Sequence, residues 1–248
     1  MSLLLAALLA LPCLAQDELL IQDTTTATDA TLPPPVEGRS GWVKAKASLL
    51  LYDSSGTLVN EVGLGTWEEA ASNGAGQRKV VQGGVSTDGR FAWSWEKVET
   101  FKIGKSDRAL TTARLLRYLG TEGQELFRNE LADAPKGLDP VSLSNDGEWI
   151  LLTERGPDAW IIAAYDFMGN RLVDAHGKGS VELAQLTPNG QFALVRWHQL
   201  DLPPEYTLVK VGERAATGLP SPKAPGTAPK LTDDGRVLVG VKVIFPAE

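Results

Sequence analysis

Ser144-Asn145-Asp146-Gly147-Glu148-Trp149-Ile150-Leu151 carries the pattern that decides the fold: a hydroxyl residue, a polar Asp-Gly turn, one further polar residue, then an apolar run. The same order recurs at Ser86-Thr87-Asp88-Gly89, Thr187-Pro188-Asn189-Gly190 and Thr232-Asp233-Asp234-Gly235. After each glycine comes Arg90, Glu148, Gln191 or Arg236, and then a large apolar residue, Phe91, Trp149, Phe192 or Val237. Asp-Gly and Asn-Gly suit a tight turn because both centres tolerate positive φ. Consecutive apolar residues that follow such a turn need cover on both faces, which predicts a strand stacked between neighbouring sheets. The glycines are spaced 58, 43 and 45 residues apart, the period of a β-propeller blade rather than of a helical repeat.

A second element repeats between these turns. Trp160-Ile161-Ile162-Ala163-Ala164-Tyr165-Asp166 runs through Gly169 into Arg171-Leu172, and Leu49-Leu50-Leu51-Tyr52-Asp53 runs through Gly56 into Leu58-Val59. Leu115-Leu116-Arg117-Tyr118 and Tyr206-Thr207-Leu208-Val209 give further copies. Each reads as two antiparallel strands joined by a turn. Residues 107–119 also satisfy a helical pattern, with Ser106 as N-cap and Gly120 as C-cap; agreement with the repeat favours strands. Blades are therefore expected at about 79–133, 140–175 and 181–216, with two more strands after Gly235. The pair at 48–62 is expected to complete this last blade and close a ring of four, five being the alternative; such closure leaves no open sheet edge.

The Ser/Thr-x-Asp-Gly turn followed by an apolar strand resembles the WD40-like propeller repeat of TolB-type periplasmic proteins. The resemblance runs from Trp42 to the C-terminus, and the proline usual before the turn occurs here only as Pro188. It implies an all-β propeller. Because members of that family act as scaffolds, as binding modules and as non-catalytic partners of peptidases, it implies no particular activity.

Residues 3–11 form a continuous apolar run closed by Pro12, and Cys13-Leu14-Ala15 precedes polar Gln16-Asp17-Glu18. This reads as a signal peptide cleaved after Ala15, too short for the roughly 20 apolar residues that span a bilayer. A lipid anchor on Cys13 is the rival reading, disfavoured by Pro12 in the preceding position. Cleavage at Ala15 would remove the sole cysteine, so stability would come from a core and not from disulfides. Residues 16–40, rich in Thr, Asp, Ala and Pro, are expected to be a tether, and 41–248 the propeller domain. With a net charge of −7 and no Lys/Arg block, nucleic acid is not an expected partner. The expectation is a secreted or periplasmic monomer without stable membrane insertion.

In propellers of this kind the loops opposite the repeated turns carry the ligand site. Here those loops include 65–78, 96–111, 155–158, 176–180 and 198–205. They contain both histidines of the chain, His176 and His198, together with Trp67, Lys102, Lys105, Arg108, Asp158 and Asp201. The candidate ligand-binding residues are Trp197, His198, His176, Arg155 and Trp67. The two histidines could act as acid and base, or hold a metal with Asp201. The lack of a third histidine and of a His-x-His pair favours ordinary loop residues. Asp88, Asp146 and Asp234 are expected to serve the turn, since Asn189 fills the equivalent place. The glycine-rich stretch 63–76 reads as a loop and not a phosphate cradle, because no strand-then-helix setting follows. Trp93 and Trp95 share one strand face and are expected to pack between blades. The sequence thus points to a non-catalytic module that binds a protein or a small ligand such as a glycan, with no metal and no cofactor. The alternative is a propeller-class lyase or hydrolase using a histidine of the loop face.

Overall fold

The computed structural model describes residues 39–70, 75–102, 109–135, 138–220, 229–239 and 242–245; the expected signal peptide and all but the last residues of the tether lie outside them, as do Lys105 and Arg108. The described residues are all β, in five sheets whose strands follow chain order. The first sheet holds β1 (Gly41–Lys44), β2 (Ser48–Tyr52) and β3 (Leu58–Gly63). The second holds β4 (Gly65–Ala70), β5 (Ala75–Val85), β6 (Ala92–Lys102), β7 (Thr111–Leu119) and β8 (Glu125–Asn129). The third holds β9 (Val141–Leu143), β10 (Trp149–Arg155), β11 (Trp160–Asp166) and β12 (Arg171–His176). The fourth holds β13 (Ser180–Leu186), β14 (Phe192–His198), β15 (Glu205–Lys210) and β16 (Ala215–Leu219). The fifth holds β17 (Lys230–Leu231), β18 (Val237–Val239) and β19 (Lys242–Phe245). Every pairing is antiparallel, as expected for short hairpin connections.

Four cores alternate with the five sheets. Trp42, Leu49 and Leu51 meet Ala92 and Leu119 between the first and second. Trp93, Trp95 and Tyr118 meet Ile150 and Leu152 between the second and third. Leu151 and Ile162 meet Val195 and Trp197 between the third and fourth, and Leu194 and Leu208 meet Val237 between the fourth and fifth. Successive residues of β10 thus enter opposite cores, which is why the repeat is apolar on both faces. Each such leucine or isoleucine contributes about 1.5–3 kcal/mol by leaving water. Successive antiparallel meanders stacked face to face in chain order are the blades of a β-propeller. Trp93 and Trp95 pack between blades as expected, and Trp95 Nε1 donates to the Ala132 carbonyl at 2.8 Å, satisfying its buried polar atom.

The repeated turns use one bonding scheme. Ser86 Oγ donates to Asp88 Oδ1 at 2.7 Å and accepts from Phe91 N at 3.0 Å, and Asp88 Oδ1 accepts from Arg90 N at 3.1 Å. Ser144 and Asp146 repeat this with Trp149 and Glu148. Thr187 and Asn189 repeat it with Phe192 and Gln191, so the turn needs an acceptor oxygen and no charge. The turns also bond to one another, a role their sequence does not announce. Asp88 N donates to the Asn145 carbonyl (3.4 Å), Asn145 N to the Pro188 carbonyl (2.8 Å), and Asn189 Nδ2 to the Asp233 carbonyl (2.9 Å).

Three further sequence expectations meet the structure. Among the described residues the hairpin at 48–62 lies in a sheet of its own: β2 pairs with β1 and β3, and no ladder joins it to β18 or β19. Trp42 explains this. Its N–H donates to the Gly89 carbonyl at 2.7 Å and its Nε1 to the Gly120 carbonyl at 2.8 Å, tying β1 and its hairpin to the second sheet. The described residues therefore form five sheets where four blades head the expectation. Within the stretch 65–78, expected to be a loop, residues 65–70 and 75–78 are strand, because Gly65–Ala70 pairs with β5 along its whole length. Gly76 belongs to β5, and the Phe101 ring occupies the space a side chain would need there. The ambiguous stretch ending at Leu119 is strand β7, paired with β6 from Thr111 onward.

Candidate binding face

The ends of the sheets opposite the repeated turns are formed by the β10–β11 loop (156–159), the β12–β13 loop (177–179) and the β14–β15 loop (199–204). Arg155, His176 and His198, the last residues of β10, β12 and β14, all reach this end and are exposed. The geometry links them through their neighbours. Arg155 N donates to the Leu131 carbonyl at 2.8 Å, and its guanidinium lies over the Trp160 ring, 4.8 Å from the centroid. Beside this pair opens a cavity of about 590 Å³ lined by Arg155, Asp158, Trp160, Lys178 and Ser180. Ser180 is in register with His198, so the two histidines flank the 177–179 loop. Gly179 holds φ at 93°, and a methyl group there would lie 1.9 Å from the His198 carbonyl oxygen; the loop needs glycine at this point.

Trp197 is corrected from ligand contact to core residue. It is fully buried, its Nε1 donates to Thr207 Oγ1 at 3.0 Å, and its ring lies so close to Gly177 that a methyl group there would meet it at 2.1 Å. The cause is parity along β14: Trp197 shares a face with Ala193 and Val195, which line the same core. It supports the loop from beneath.

His198 and Arg196 share Glu182, from Oε1 to Nδ1 at 3.2 Å and from Oε2 to Nε at 2.9 Å. A bulge between Val181 and Leu183 sets Glu182 opposite both partners. His176 stands across from Ile161 in the third sheet, apart from this group. Asp201 takes φ of 60° within the 199–204 loop, a conformation aspartate tolerates, so its place is explained by the turn. Among the described residues no group of three or more His, Cys, Asp or Glu side chains could hold a metal. Trp67, on β4, is half-exposed in a separate groove against the first sheet.

Several residues of the face carry no motif. Leu200 is 82% exposed and Leu202 59%, on a loop closed by Pro203 and Pro204; Leu131 is exposed beside Arg155. Their signal in the sequence is a large apolar residue inside a polar, proline-bearing loop. Beneath the face lies a buried network that residue types alone did not reveal. Glu154 Oε1 accepts from Tyr165 OH at 2.6 Å and Asn129 Nδ2 at 2.7 Å, while Oε2 pairs with Arg171 Nη1 at 3.0 Å. Burial first, then the bond to Glu154 and its charge, push the Tyr165 phenol far above its usual range. The network fastens the end of the second sheet to the third.

No protein-family model and no curated protein matches this chain. Solved structures are similar at low level, each with a TM-score of 0.36. The β-propeller domain of Swd1 from Myceliophteria thermophila is 17% identical and covers 63% of this chain and 49% of its own length. The propeller domain of the trilobed protease from Pyrococcus furiosus, described as having an open velcro topology, is 10% identical over 58% of this chain and 44% of its own. A structure assigned as TolB, from Agrobacterium tumefaciens, is 14% identical over 86% of this chain and 78% of its own. The chain thus spans about half the length of the first two. The blade arrangement stands on the strand order and turn contacts described above, and similarity at this level says nothing of activity.

Proposed function

We propose that the chain is an exported β-propeller module that binds a partner protein on its loop face and performs no chemistry of its own. The supporting observation is a run of neighbouring features across that face. It begins at Leu131, continues through Arg155 stacked on Trp160 and the adjoining cavity, passes His198, and ends at Leu200 and Leu202. Exposed leucines beside an aromatic–arginine pair, rimmed by Asp158 and Lys178, have the composition of an interface: apolar anchors with a charged border. Export rests on the apolar leader and the Ala15 site of the sequence.

The test is affinity capture from the envelope and medium fractions, comparing the native chain with a Leu200→Asp/Leu202→Asp double variant and with Met168→Asp at the opposite end. Loss of the captured protein in the first variant alone supports the reading. Equal capture by all three overturns it. Mass measurement of the exported chain checks the leader, expected to be absent up to Ala15. The lyase or hydrolase reading draws on one observation, the His198–Glu182 contact, in which a carboxylate orients an imidazole at the surface. It requires that His198→Ala abolish a measurable glycan-cleaving activity.

A further inference from the structure

The position that is filled in two of the blades is open in a third. Aligned on the turn glycines, Glu96, Glu154 and Trp197 are equivalent, each facing the preceding sheet. Trp197 fills that space with its ring and Glu154 with its buried network. Around Glu96 there is a groove of about 520 Å³ between the edge of the first sheet and β4–β7, lined by Trp67, Lys79, Ser94, Glu61 and Arg117 among others.

We propose that this groove is a carbohydrate subsite for neutral pyranose units, with Trp67 as its stacking platform. The indole is 44% exposed. Its benzo ring lies along the strand over Gly65, where an added methyl group would come to 3.6 Å from it; Gly65 has φ of 148°, which side-chain-bearing residues rarely adopt. The backbone of Gly65 thus supports the ring on one side. Such a flat apolar surface matches the C–H face of a pyranose.

The remaining groups match its hydroxyls. Lys79 Nζ and Glu96 Oε2 pair at 2.8 Å, Glu61 Oε1 accepts from Ser48 Oγ at 2.6 Å, and Arg117 Nε lies 3.6 Å from Glu125 Oε2. With Glu69 the lining carries three carboxylates against Lys79 and Arg117, a surplus of a single negative charge, so the groove offers acceptors and donors side by side with only a weak field to select an ion. A hydroxyl both donates and accepts and can bridge such pairs. A wholly apolar ligand would desolvate them without replacement bonds.

The experiment is titration of the native chain by calorimetry with maltotriose, cellotriose and tri-N-acetylchitotriose, each to about 10 mM, the weak end of specific recognition. At least one is expected to bind. Trp67→Ala should weaken it at least about tenfold, the scale of one aromatic contact, Trp67→Phe should restore part of the loss, and Glu61→Gln should weaken it independently. Leu200→Asp/Leu202→Asp should leave it unchanged, which separates this site from the loop face. Circular dichroism confirms that each variant is folded. Binding of none of the three sugars overturns the proposal, as does binding insensitive to both Trp67→Ala and Glu61→Gln. Binding of tetralysine in their place also overturns it, since that would make Trp67 a cation platform.

Discussion

Tyr118 shows how one side chain joins two blades. It is fully buried, and its hydroxyl donates to the Gly147 carbonyl at 2.6 Å, reaching from β7 into the next blade's turn. Tyr118→Phe keeps the ring stacked on Phe91, at 5.6 Å between centroids, and removes only this bond. Urea unfolding should show a loss of about 1–3 kcal/mol, the upper end applying if the carbonyl is left without a donor. Burial, and then the charges of Asp88 and Asp146, hold this phenol far above its usual range, and Tyr165 is shifted the same way. A group whose folded pKa is raised contributes fully below its unfolded pKa, near 10 for tyrosine, and loses that contribution as pH climbs toward the folded value. Melting temperature should therefore fall steeply above about pH 10, and less steeply in Tyr118→Phe. In acid the sign reverses. Burial opposes the Asp88 charge, yet bonds from Ser86 and Arg90 hold its carboxyl below the usual range, so its contribution is lost as pH falls below about 4.

At the scale of the element, the turns separate what local chemistry dictates from what packing decides. The turns after β2, β7 and β11 place Gly56, Gly123 and Gly169 at φ of 81°, 79° and 83°, while the turn after β15 places Arg214 there at 53°. Arg214 N donates to the Val211 carbonyl as Gly56 N does to Asp53, so the four turns share one geometry. Arg214→Gly should relieve the left-handed strain and raise stability by up to about 1 kcal/mol, read from the denaturation midpoint. The Asp-Gly turns were legible because hydroxyl, acceptor and glycine bond within six residues, and with them came the limits of the third and fourth sheets to within a few residues, but not the start of the second, which begins at Gly65. By contrast, β1 and β4 have no turn signature of their own, and their partners, the β2 hairpin and β5, are set by Trp42 and by the length of β5. For the candidate site, the sequence located strand ends but not which way each side chain turns. Arg155, His176 and His198 reach the expected face, whereas Trp197 does not, because strand parity with Ala193 and Val195 outweighs its place beside a loop. Leu200 and Leu202 become conspicuous only once their exposure is known.

For the molecule as a whole, cores shared between sheets make the blades interdependent. Leu152 and Leu151 are neighbours in β10 but belong to different cores. Leu152→Ala should cost about 2–5 kcal/mol, and hydrogen exchange should accelerate in both the second and third sheets rather than in one. The bonds between turns have a direction as well. At the turn end of the sheets the earlier blade donates and the later accepts, from Trp42 N of β1 to Gly89, from Asp88 N to Asn145, from Asn145 N to Pro188 and from Asn189 Nδ2 to Asp233. A blade is therefore a coupling with a plug on one side and a socket on the other. Tandem duplication of such a unit inserts a copy whose two ends already fit its neighbours, so a chain of this kind can lengthen by whole blades without first inventing a new interface.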